Sequence, residues 1–251
     1  MPKTILITGA GTGLGRGAAI ELARRGHRVI AAAISGEEAD ELLQQHPELT
    51  TVKLDVTRPD DVAQVQQWHI DVLINNAGLG QTGPMRSIPM DRLRRVFDVN
   101  VFGTFAMTQA VAEQMIERGA GRILIVSSVA GVLAGPGTGP YSMTKHALQA
   151  FGSSLRAELA PLGVDVALIN PGPFATGFND RMINEPGEWF DPTTALPSEL
   201  GFMDGVRRRI TVGQLDPADV AQVYADLAEA ATTELVNFIP ADIVERIMRS
   251  H

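Results

Sequence analysis

The sequence predicts an α/β fold, a doubly wound Rossmann-type parallel sheet of about seven strands in a single domain, residues 1–251, with a lid insertion. Three observations predict it. Short apolar runs alternate with amphipathic helical stretches, as in a sheet that helices cover on both faces. A glycine-rich turn joins the first run to the first helical stretch. Polar residues directly follow several runs, at the edge where open α/β sheets bind their ligands.

The apolar runs have the length of strands and show no polar face, which favours a buried parallel sheet. The helical stretches between them include 16–25, 59–68, 101–118 and 142–159. The helix at 59–68 is expected to be short, since only fifteen residues separate Asp55 from Asp71. We predict the strands at 4–7, 28–34, 51–54, 72–74, 122–126, 164–169 and 235–239.

The composition excludes several kinds of protein. With 251 residues and 45% apolar side chains, the chain can build one large α/β domain. A net charge of −8 repels polyanions, so no nucleic-acid partner is expected. There is no cysteine and the five histidines show no ligand spacing, so no metal cofactor is expected. No apolar run approaches the length of about 18 residues that a membrane span needs. With no secretory leader pattern, the cytoplasm is the expected compartment.

The regular alternation breaks between residues 177 and 213. A long irregular insertion in a compact domain is usually functional, so we interpret 177–213 as a substrate lid over an apolar pocket. Packing of the same side chains onto the domain's own core is the alternative. The run Arg207, Arg208 and Arg209 is interpreted as a solvated helix face. The large apolar residues of the segment are Met182, Trp189, Phe190, Leu196, Phe202 and Met203.

The turn TGAGTGLG carries four glycines, Gly9, Gly11, Gly13 and Gly15. Glycines in a strand-to-helix turn let backbone N–H groups approach a phosphate at the positive end of the helix. The spacing is G-x-x-x-G-x-G, because Leu14 occupies the place of the last glycine in the usual G-x-G-x-x-G fingerprint. We predict that this turn binds the pyrophosphate of a dinucleotide, with a purely structural turn as the alternative.

Polar residues follow three further strands at the same edge. Asp55 follows the third strand, and Asn75 and Asn76 follow the fourth. Short polar side chains at these places can bind a base edge or brace neighbouring strands, and both readings stay open. The proline-rich turn after the sixth strand ends at Thr176, whose hydroxyl could hold an amide such as a nicotinamide carboxamide. An ordinary loop is the alternative there.

Tyr141 and Lys145 are expected one turn apart on one face of a helix that begins at Gly139 and Pro140. A free tyrosine has a pKa of about 10, so proton transfer near neutrality needs a cation close to the phenol. Ser128 follows an apolar run, where a strand ends and a loop begins. We predict that these side chains form a proton-transfer site; a chance pair on a surface helix is the alternative.

Taken together, these motifs resemble the short-chain dehydrogenase/reductase family, in the right order and over most of the chain. The carboxyl-terminal part lacks the glycine-rich ending of many tetrameric members and is nearer to the steroid- and retinol-dehydrogenase-like branch. The matching motifs are TGAGTGLG at 8–15, Asp55, NNAG at 75–78, Asn100, Ser128, YSMTK at 141–145 and PGPFAT at 171–176.

The resemblance implies a catalytic role for four residues. Ser128 would polarise the substrate oxygen and Tyr141 would exchange its proton. Lys145 would hold the nicotinamide ribose, and Asn100 would support a water relay. Lys145 and a positively charged oxidised nicotinamide would together lower the pKa of Tyr141 toward the working range.

The resemblance also implies a set of cofactor contacts. Gly9, Gly13 and Gly15 would wrap the pyrophosphate, and Asp55 and Val56 would meet the adenine. Asn76 and Gly78 would flank the cofactor, and Thr176 would bind the carboxamide. The other expected cofactor contacts are Gly11, Thr12, Leu14, Ala33, Ile34, Ala77, Pro171, Gly172 and Phe174, together with Tyr141 and Lys145.

The choice of cofactor depends, in the family, on the end of the second strand. An acidic residue there binds a ribose 2′-OH, and an arginine binds a 2′-phosphate. This chain has Ala32, Ala33, Ile34 and Ser35 at that place, and Thr12 of the glycine turn is not basic. A 2′-phosphate would lack two cationic partners, whereas NAD would lose one hydrogen bond. The sequence therefore allows NAD(H) or NADP(H) and favours NAD(H).

We predict a nicotinamide-dependent oxidoreductase that interconverts a secondary alcohol and a ketone on a mainly apolar small molecule. A sugar-nucleotide epimerase or dehydratase is disfavoured by the compact length. A non-catalytic dinucleotide sensor would need no proton-transfer residues. The helical stretches 101–118 and 142–159 carry apolar residues on more than one face, so a homodimer or homotetramer is expected.

Overall fold

A computed structural model describes residues 1–211 and 214–249 and contains one sheet of seven strands. All neighbouring strands are parallel, in the order β3-β2-β1-β4-β5-β6-β7, which confirms the predicted doubly wound fold. Each predicted strand is present, with ends that differ by one or two residues. The strands are β1 (Thr4–Thr8), β2 (Arg28–Ala33), β3 (Thr50–Lys53), β4 (Val72–Asn75), β5 (Gly121–Val126), β6 (Val164–Pro171) and β7 (Val236–Ile239).

The helices follow the strands as the sequence predicts. Pro140 lies in the first turn of the helix that carries Tyr141, where a missing N–H costs nothing. The helix that begins at Pro59 is short, as predicted, and continues only as a 3₁₀ turn, Gln64–Gln67. The helices are α1 (Gly13–Arg24), α2 (Gly36–Gln45), α3 (Pro59–Ala63), α4 (Met90–Phe97), α5 (Thr104–Arg118), α6 (Gly139–Leu159), α7 (Phe178–Asn184), α8 (Pro197–Thr211), α9 (Ala218–Glu229) and α10 (Ile243–Arg249).

The sheet separates two apolar cores, because successive side chains of a strand point to opposite faces. Ile5 and Ile7 of β1 pack with α1, α2 and α9 on one face. Leu6 faces the other core, which α5 and α6 cover. With both faces buried, the functional groups are left to the edges of the sheet.

The chain diverges at β1, whose neighbours are β2 on one side and β4 on the other. The crossover helices therefore leave β1 and β4 toward opposite faces, and a crevice opens between the loops at the carboxyl ends of these strands. This crevice is the place where doubly wound sheets bind ligands, and the predicted site residues follow the strands that border it.

A buried arginine ties the opposite edge of the sheet to α9. Arg122 of β5 is 6% exposed, and its Nε lies 3.0 Å from Oδ2 of Asp165. Its Nη1 donates to the carbonyl of Leu227 at 2.6 Å, near the end of α9, where helix carbonyls lack partners. One side chain thus joins two strands and a helix end, while the ligand-binding edge stays free.

We expect Arg122→Met to lower the free energy of unfolding by about 3 kcal/mol, because it removes the nearest cation from Asp165 and the donor from buried carbonyls at the end of α9. Urea denaturation measures the change. Arg28→Met is the control, since Arg28 is exposed, and it should change stability by less than about 0.5 kcal/mol. Equal stability of the Arg122 variant and the native chain would contradict this account of the edge.

Candidate active site

One large cavity, about 1760 Å³ in volume, opens at the carboxyl edge of the sheet. It extends from the ends of β2 and β3, across the glycine turn, to the loops after β5 and β6. The structure brings most of the predicted site residues to its wall: Gly9, Gly11, Thr12, Gly13, Leu14, Ile34, Asp55, Val56, Asn76, Ala77, Gly78, Ser128, Tyr141, Lys145, Pro171, Gly172, Phe174 and Thr176.

Three predicted residues do not line the cavity. Ala33 is buried at the end of β2, behind Gly11, and Gly15 is buried inside α1. A Cβ on Gly15 would lie 2.6 Å from the carbonyl oxygen of Gly9, so this glycine serves the tight turn itself. Asn100 is fully buried behind the cavity wall. Its side chain hydrogen-bonds the backbone of Leu79, which is part of that wall.

The glycine turn has a backbone that side chains would disturb. Gly9 and Gly13 have φ angles of +64° and +59°, in the left-handed region that glycine adopts without strain. A Cβ on Gly9 would also lie 2.8 Å from Cα of Ala77. The turn leads into α1, and the first turn of this helix, whose N–H groups lack helical partners, lies at the cavity. Such a cradle fits the pyrophosphate of a dinucleotide.

Asn76 braces this turn. Its Nδ2 donates to the carbonyl of Thr8 at 2.9 Å and to that of Gly9 at 3.0 Å. In return, the Thr8 hydroxyl accepts from the N–H groups of Asn76 and Ala77, each at 3.0 Å. Of the two readings from the sequence, the structure supports bracing, and Asn76 reaches the cavity as part of that brace. Asn75 braces as well, donating to Thr108 of α5 at 2.9 Å.

The end of β3 and the turn after β6 form opposite parts of the wall. Asp55 uses Oδ1 to accept from the N–H and hydroxyl of Thr57, at 2.9 and 2.7 Å, so its carboxylate also orders a local turn. Across the crevice, Thr176 meets the glycine turn: a Cβ on Gly13 would lie 3.6 Å from its Cβ. The loops after β1 and β6 therefore close the middle of the cavity together.

Ser128, Tyr141 and Lys145 meet at the β5 side of the cavity. The Ser128 side chain hydrogen-bonds the Tyr141 hydroxyl. Nζ of Lys145 lies 5.6 Å from the centre of the Tyr141 ring and donates to the carbonyl of Val126 at 2.8 Å. The ring of Tyr141 also packs against Phe178 of α7, with centroids 5.9 Å apart. The predicted cluster therefore exists, at the end of β5 and on the first turns of α6.

Burial controls the proton affinities of this cluster. It raises the pKa of Tyr141 to about 12, although the hydrogen bond from Ser128 lowers it. It lowers the pKa of Lys145 to about 7, because the charged amine loses its water. Within the protein alone, burial is the largest influence on both groups, so the pKa of Tyr141 is raised rather than lowered. A lower tyrosine pKa would need a further positive charge in the cavity.

Asn100 lies in a π-helical turn, Asp98–Gly103, that precedes α5. Its Oδ1 accepts from the N–H of Leu79 at 2.7 Å, and its Nδ2 donates to the Leu79 carbonyl at 2.9 Å. Nδ2 also donates to Thr144 of α6 at 3.0 Å. Asn100 thus joins the wall beside Gly78 to the helix of Tyr141 and Lys145. Such π turns are frequent at functional sites.

Segment 177–211 contributes residues to the wall of the cavity. The last two residues of the predicted lid, 212 and 213, lie outside the described residues. The segment docks on the loop after β4: the Thr82 hydroxyl donates to the Met182 carbonyl at 2.8 Å, and Arg86 binds both oxygens of Glu199 at 2.9 and 2.8 Å. Within the arginine run of α8, interpreted from the sequence as a solvated face, Arg208 and Arg209 are exposed but also border the cavity.

Sequence reasoning missed several residues of the wall. Leu79, Leu133 and Phe178 add apolar surface to the wall, and they come from three separate segments that only the fold brings together. Glu38 of α2 lines the opposite end beside the glycine turn. The sequence does mark Glu38, through the pattern Ser-x-x-Glu over residues 35–38, but that pattern alone indicates a helix cap and not a place in the cavity wall.

Two predicted absences can be compared with the described part of the chain. Residues 1–211 and 214–249 contain no group of three or more histidine or acidic side chains arranged to hold a metal ion. Within the same residues, no helix combines the length and the apolar character needed to cross a bilayer.

Comparison with known proteins gives matches over the same motifs. Residues 3–186 match the family model described as short chain dehydrogenase. Human 17-beta-hydroxysteroid dehydrogenase type 1 is 36% identical over 255 residues, covering 95% of this chain and 78% of that protein. Retinol dehydrogenase 8 from Bos taurus is 32% identical over 255 residues, covering 93% of this chain and 80% of that protein. These relatives agree with the predicted steroid and retinol branch.

Solved structures share the whole fold. A short chain dehydrogenase/reductase from Burkholderia phymatum in complex with NAD has 27% identity and a TM-score of 0.81, over 99% of this chain and 93% of that one. A gluconate 5-dehydrogenase from Burkholderia cenocepacia, in complex with NADP and tartrate, has 26% identity and a TM-score of 0.79, over 97% and 95% of the two chains.

The lowered pKa of Lys145 predicts how the unfolding free energy changes with pH. From about pH 7 to the usual lysine value of 10.5, the unfolded chain binds the Lys145 proton more tightly than the folded chain. Raising the pH through this window therefore stabilises the fold, and below it the full cost of charging the buried amine remains. We expect the unfolding free energy of the native chain to rise, relative to Lys145→Met, by on the order of 5 kcal/mol across this window.

Urea denaturation at a series of pH values measures that difference. Tyr141 is common to both chains, so its own titration cancels. Lys53→Met is the control, because Lys53 is exposed, and it should keep the pH profile of the native chain. Parallel profiles for the native chain and Lys145→Met would show that burial does not lower the pKa of Lys145.

Proposed function

The chain belongs to the short-chain dehydrogenase family and is an NAD(P)-dependent dehydrogenase or reductase; from this premise, we propose that it interconverts a secondary alcohol and a ketone on a mainly apolar small molecule. Tyr141 is the proposed general acid and base. The observation that carries the proposal is that Ser128, Tyr141 and Lys145 share one cavity with the glycine turn. A proton-transfer group therefore lies within the same space as the cradle for a dinucleotide.

The proposal gives each side chain a separate task. The Ser128 hydroxyl holds the substrate oxygen, and the neighbouring Tyr141 hydroxyl gives or takes the proton of that oxygen. Lys145 holds the ribose of the nicotinamide half, and Asn100 keeps the wall beside it fixed. The nicotinamide cofactor, when bound, supplies or accepts the hydride. The protein contributes orientation and a tyrosine whose proton affinity responds to positive charge nearby.

The proposed substrate class follows from the apolar part of the cavity wall. Leu79, Leu133, Phe178 and Met182 line the cavity, and Phe178 packs against the Tyr141 ring, which suits a molecule with little charge around its carbonyl. Relatives named for steroid and retinol substrates support the same class. We propose that 177–213 acts as the lid over this pocket, since the described part of it supplies Phe178 and Met182.

NAD(H) is the proposed cofactor. In the described part of the cavity wall, Ile34 and Thr12 at the β2 side carry no positive charge for a 2′-phosphate. The comparison structures include one with NAD and one with NADP, so the choice is made on this chain's own residues.

A homodimer is the proposed assembly, formed through α4, the first turn of α5 with the π turn before it, and α6. Met90, Phe102, Phe105 and Met143 are 58, 61, 45 and 43% exposed on this surface. Met90, Phe102 and Met143 border the same shallow apolar hollow. Exposed apolar surface of this kind marks a contact with another protein, and a second copy is the occupant proposed.

The first test is Tyr141→Phe. We expect turnover to fall by roughly 10²- to 10⁴-fold, because the proton has no donor or acceptor, while the dissociation constant for the cofactor changes little. Nicotinamide absorbance over a panel of ketones and alcohols measures turnover with NAD(H) and NADP(H), and calorimetry measures binding.

Tyr224→Phe is a matched control, because Tyr224 is the other tyrosine of the chain and is fully buried outside the cavity wall. Its turnover should stay close to that of the native chain. Near-full activity of Tyr141→Phe would refute the proposed role. Failure of the native chain on every substrate of the panel, with the cofactor bound, would argue for a non-catalytic sensor.

The second test is the state of assembly. We expect the native chain to sediment with twice the 26.9 kDa mass of one chain, and Phe102→Glu to sediment as a monomer, because a charge would be buried in the contact. Met248→Glu is the control, since Met248 is 67% exposed on α10, away from this surface. A monomer mass for the native chain at all concentrations would refute the proposed homodimer.

A further inference from the structure

Glu38 has an unusual orientation for its place in the chain. It lies in the first turn of α2, and its N–H donates to the hydroxyl of Ser35 at 3.2 Å. In a Ser-x-x-Glu capping box, the glutamate side chain returns to the N–H of the serine. No such hydrogen bond is found among the described residues. The carboxylate is instead directed toward the glycine turn.

The contact with Gly11 shows how close this approach is. A Cβ on Gly11 would overlap Oε2 of Glu38 and would lie 3.2 Å from its Cδ. It would also lie 3.2 Å from Cβ of Ala33, at the end of β2. Glu38 therefore rests on the backbone of the turn, and Gly11 leaves it the room to do so.

The Glu38 carboxylate also has free hydrogen-bonding capacity. Over residues 1–211 and 214–249, it forms no ion pair and no hydrogen bond with another side chain, and it lines the cavity. An acidic residue in the first turn of a helix is favoured by the helix dipole alone. Glu37 satisfies that preference equally well in the same turn, yet it does not line the cavity. The dipole therefore does not explain why Glu38 lies on Gly11.

The order of elements around the cavity tells which part of a dinucleotide would meet Glu38. Tyr141 and Lys145 mark the nicotinamide end, at the β5 side, and the glycine turn marks the phosphates. Beyond the phosphates the cavity continues toward β3, where Asp55 and Val56 are the proposed adenine contacts. The ribose that joins adenine to the phosphates would lie between them, beside Gly11 and the end of β2.

We propose that Glu38 selects NAD(H) over NADP(H), by accepting hydrogen bonds from the hydroxyls of the adenosine ribose and by repelling a phosphate at its 2′ position. This inference rests on the proposed function, since it takes the cavity to be a dinucleotide site. An acidic group that the end of β2 lacks is thus supplied by α2, one helical turn later. A carboxylate that hydrogen-bonds hydroxyls strongly disfavours a second anion at the same place.

The test is calorimetric binding of NAD⁺ and NADP⁺ to the native chain, Glu38→Gln and Glu37→Gln. For the native chain we expect NAD⁺ to bind at least about tenfold more tightly than NADP⁺. Glu38→Gln keeps the size of the side chain and removes the charge, so the preference should shrink at least about tenfold, mainly through tighter NADP⁺ binding. Glu37→Gln should keep the native ratio of the two dissociation constants. It is a matched control, because it removes a charge from the same first turn of α2 and so causes the same loss of helix-dipole stabilisation.

An unchanged ratio of dissociation constants in Glu38→Gln would overturn the proposal, as would a native preference for NADP⁺. Two fragments separate this outcome from a failure of the proposed function. ADP and adenosine 2′,5′-bisphosphate carry no nicotinamide, so their relative binding reports Glu38 whether or not Tyr141 transfers protons. We expect Glu38→Gln to favour the bisphosphate by the same factor as NADP⁺. Loss of all binding in the native chain would refute both proposals.

Discussion

The close approach between the glycine turn and the segment after β4 is the constraint on which the rest of the site depends. Gly9 has no room for a side chain, because a Cβ there would lie 2.8 Å from Cα of Ala77. Asn76 holds both sides together through the carbonyls of Thr8 and Gly9. The contact lies where the chain diverges on either side of β1. It therefore fixes the two walls of the crevice relative to each other, and every other site residue is positioned from those walls.

The sheet could be predicted from the sequence because its strands are buried on both faces and read as continuous apolar runs. The helix start at Pro140 could be predicted because proline has few places in a helix. The π turn that holds Asn100 could not be predicted, and neither could the orientation of Glu38, because neither changes the hydrophobic periodicity of the sequence. Tertiary contacts decide whether such a side chain caps its own helix or contacts a neighbouring loop.

The proton affinities of Tyr141 and Lys145 show a second kind of gap. The sequence places a cation one turn from a phenol, and attraction between opposite charges then favours the phenolate. The fold adds burial, which moves both groups toward their neutral forms and is the largest influence on both pKa values. The pair is therefore sensitive to any further charge that enters the cavity. A buried pair with this property suits a reaction in which charge changes at the moment of proton transfer.

The two ends of the cavity carry different titratable groups, and the difference follows from the topology. The Glu38 carboxylate stands at one end, on the side of β2 and β3, and the Lys145 amine stands at the other, on the side of β5. The glycine turn lies between them and would hold the anionic centre of a ligand in either orientation. The unlike ends are what can make one orientation preferable. Because the ends belong to elements on opposite sides of β1, the cofactor preference proposed for Glu38 and the proton transfer proposed for Tyr141 depend on separate parts of the fold.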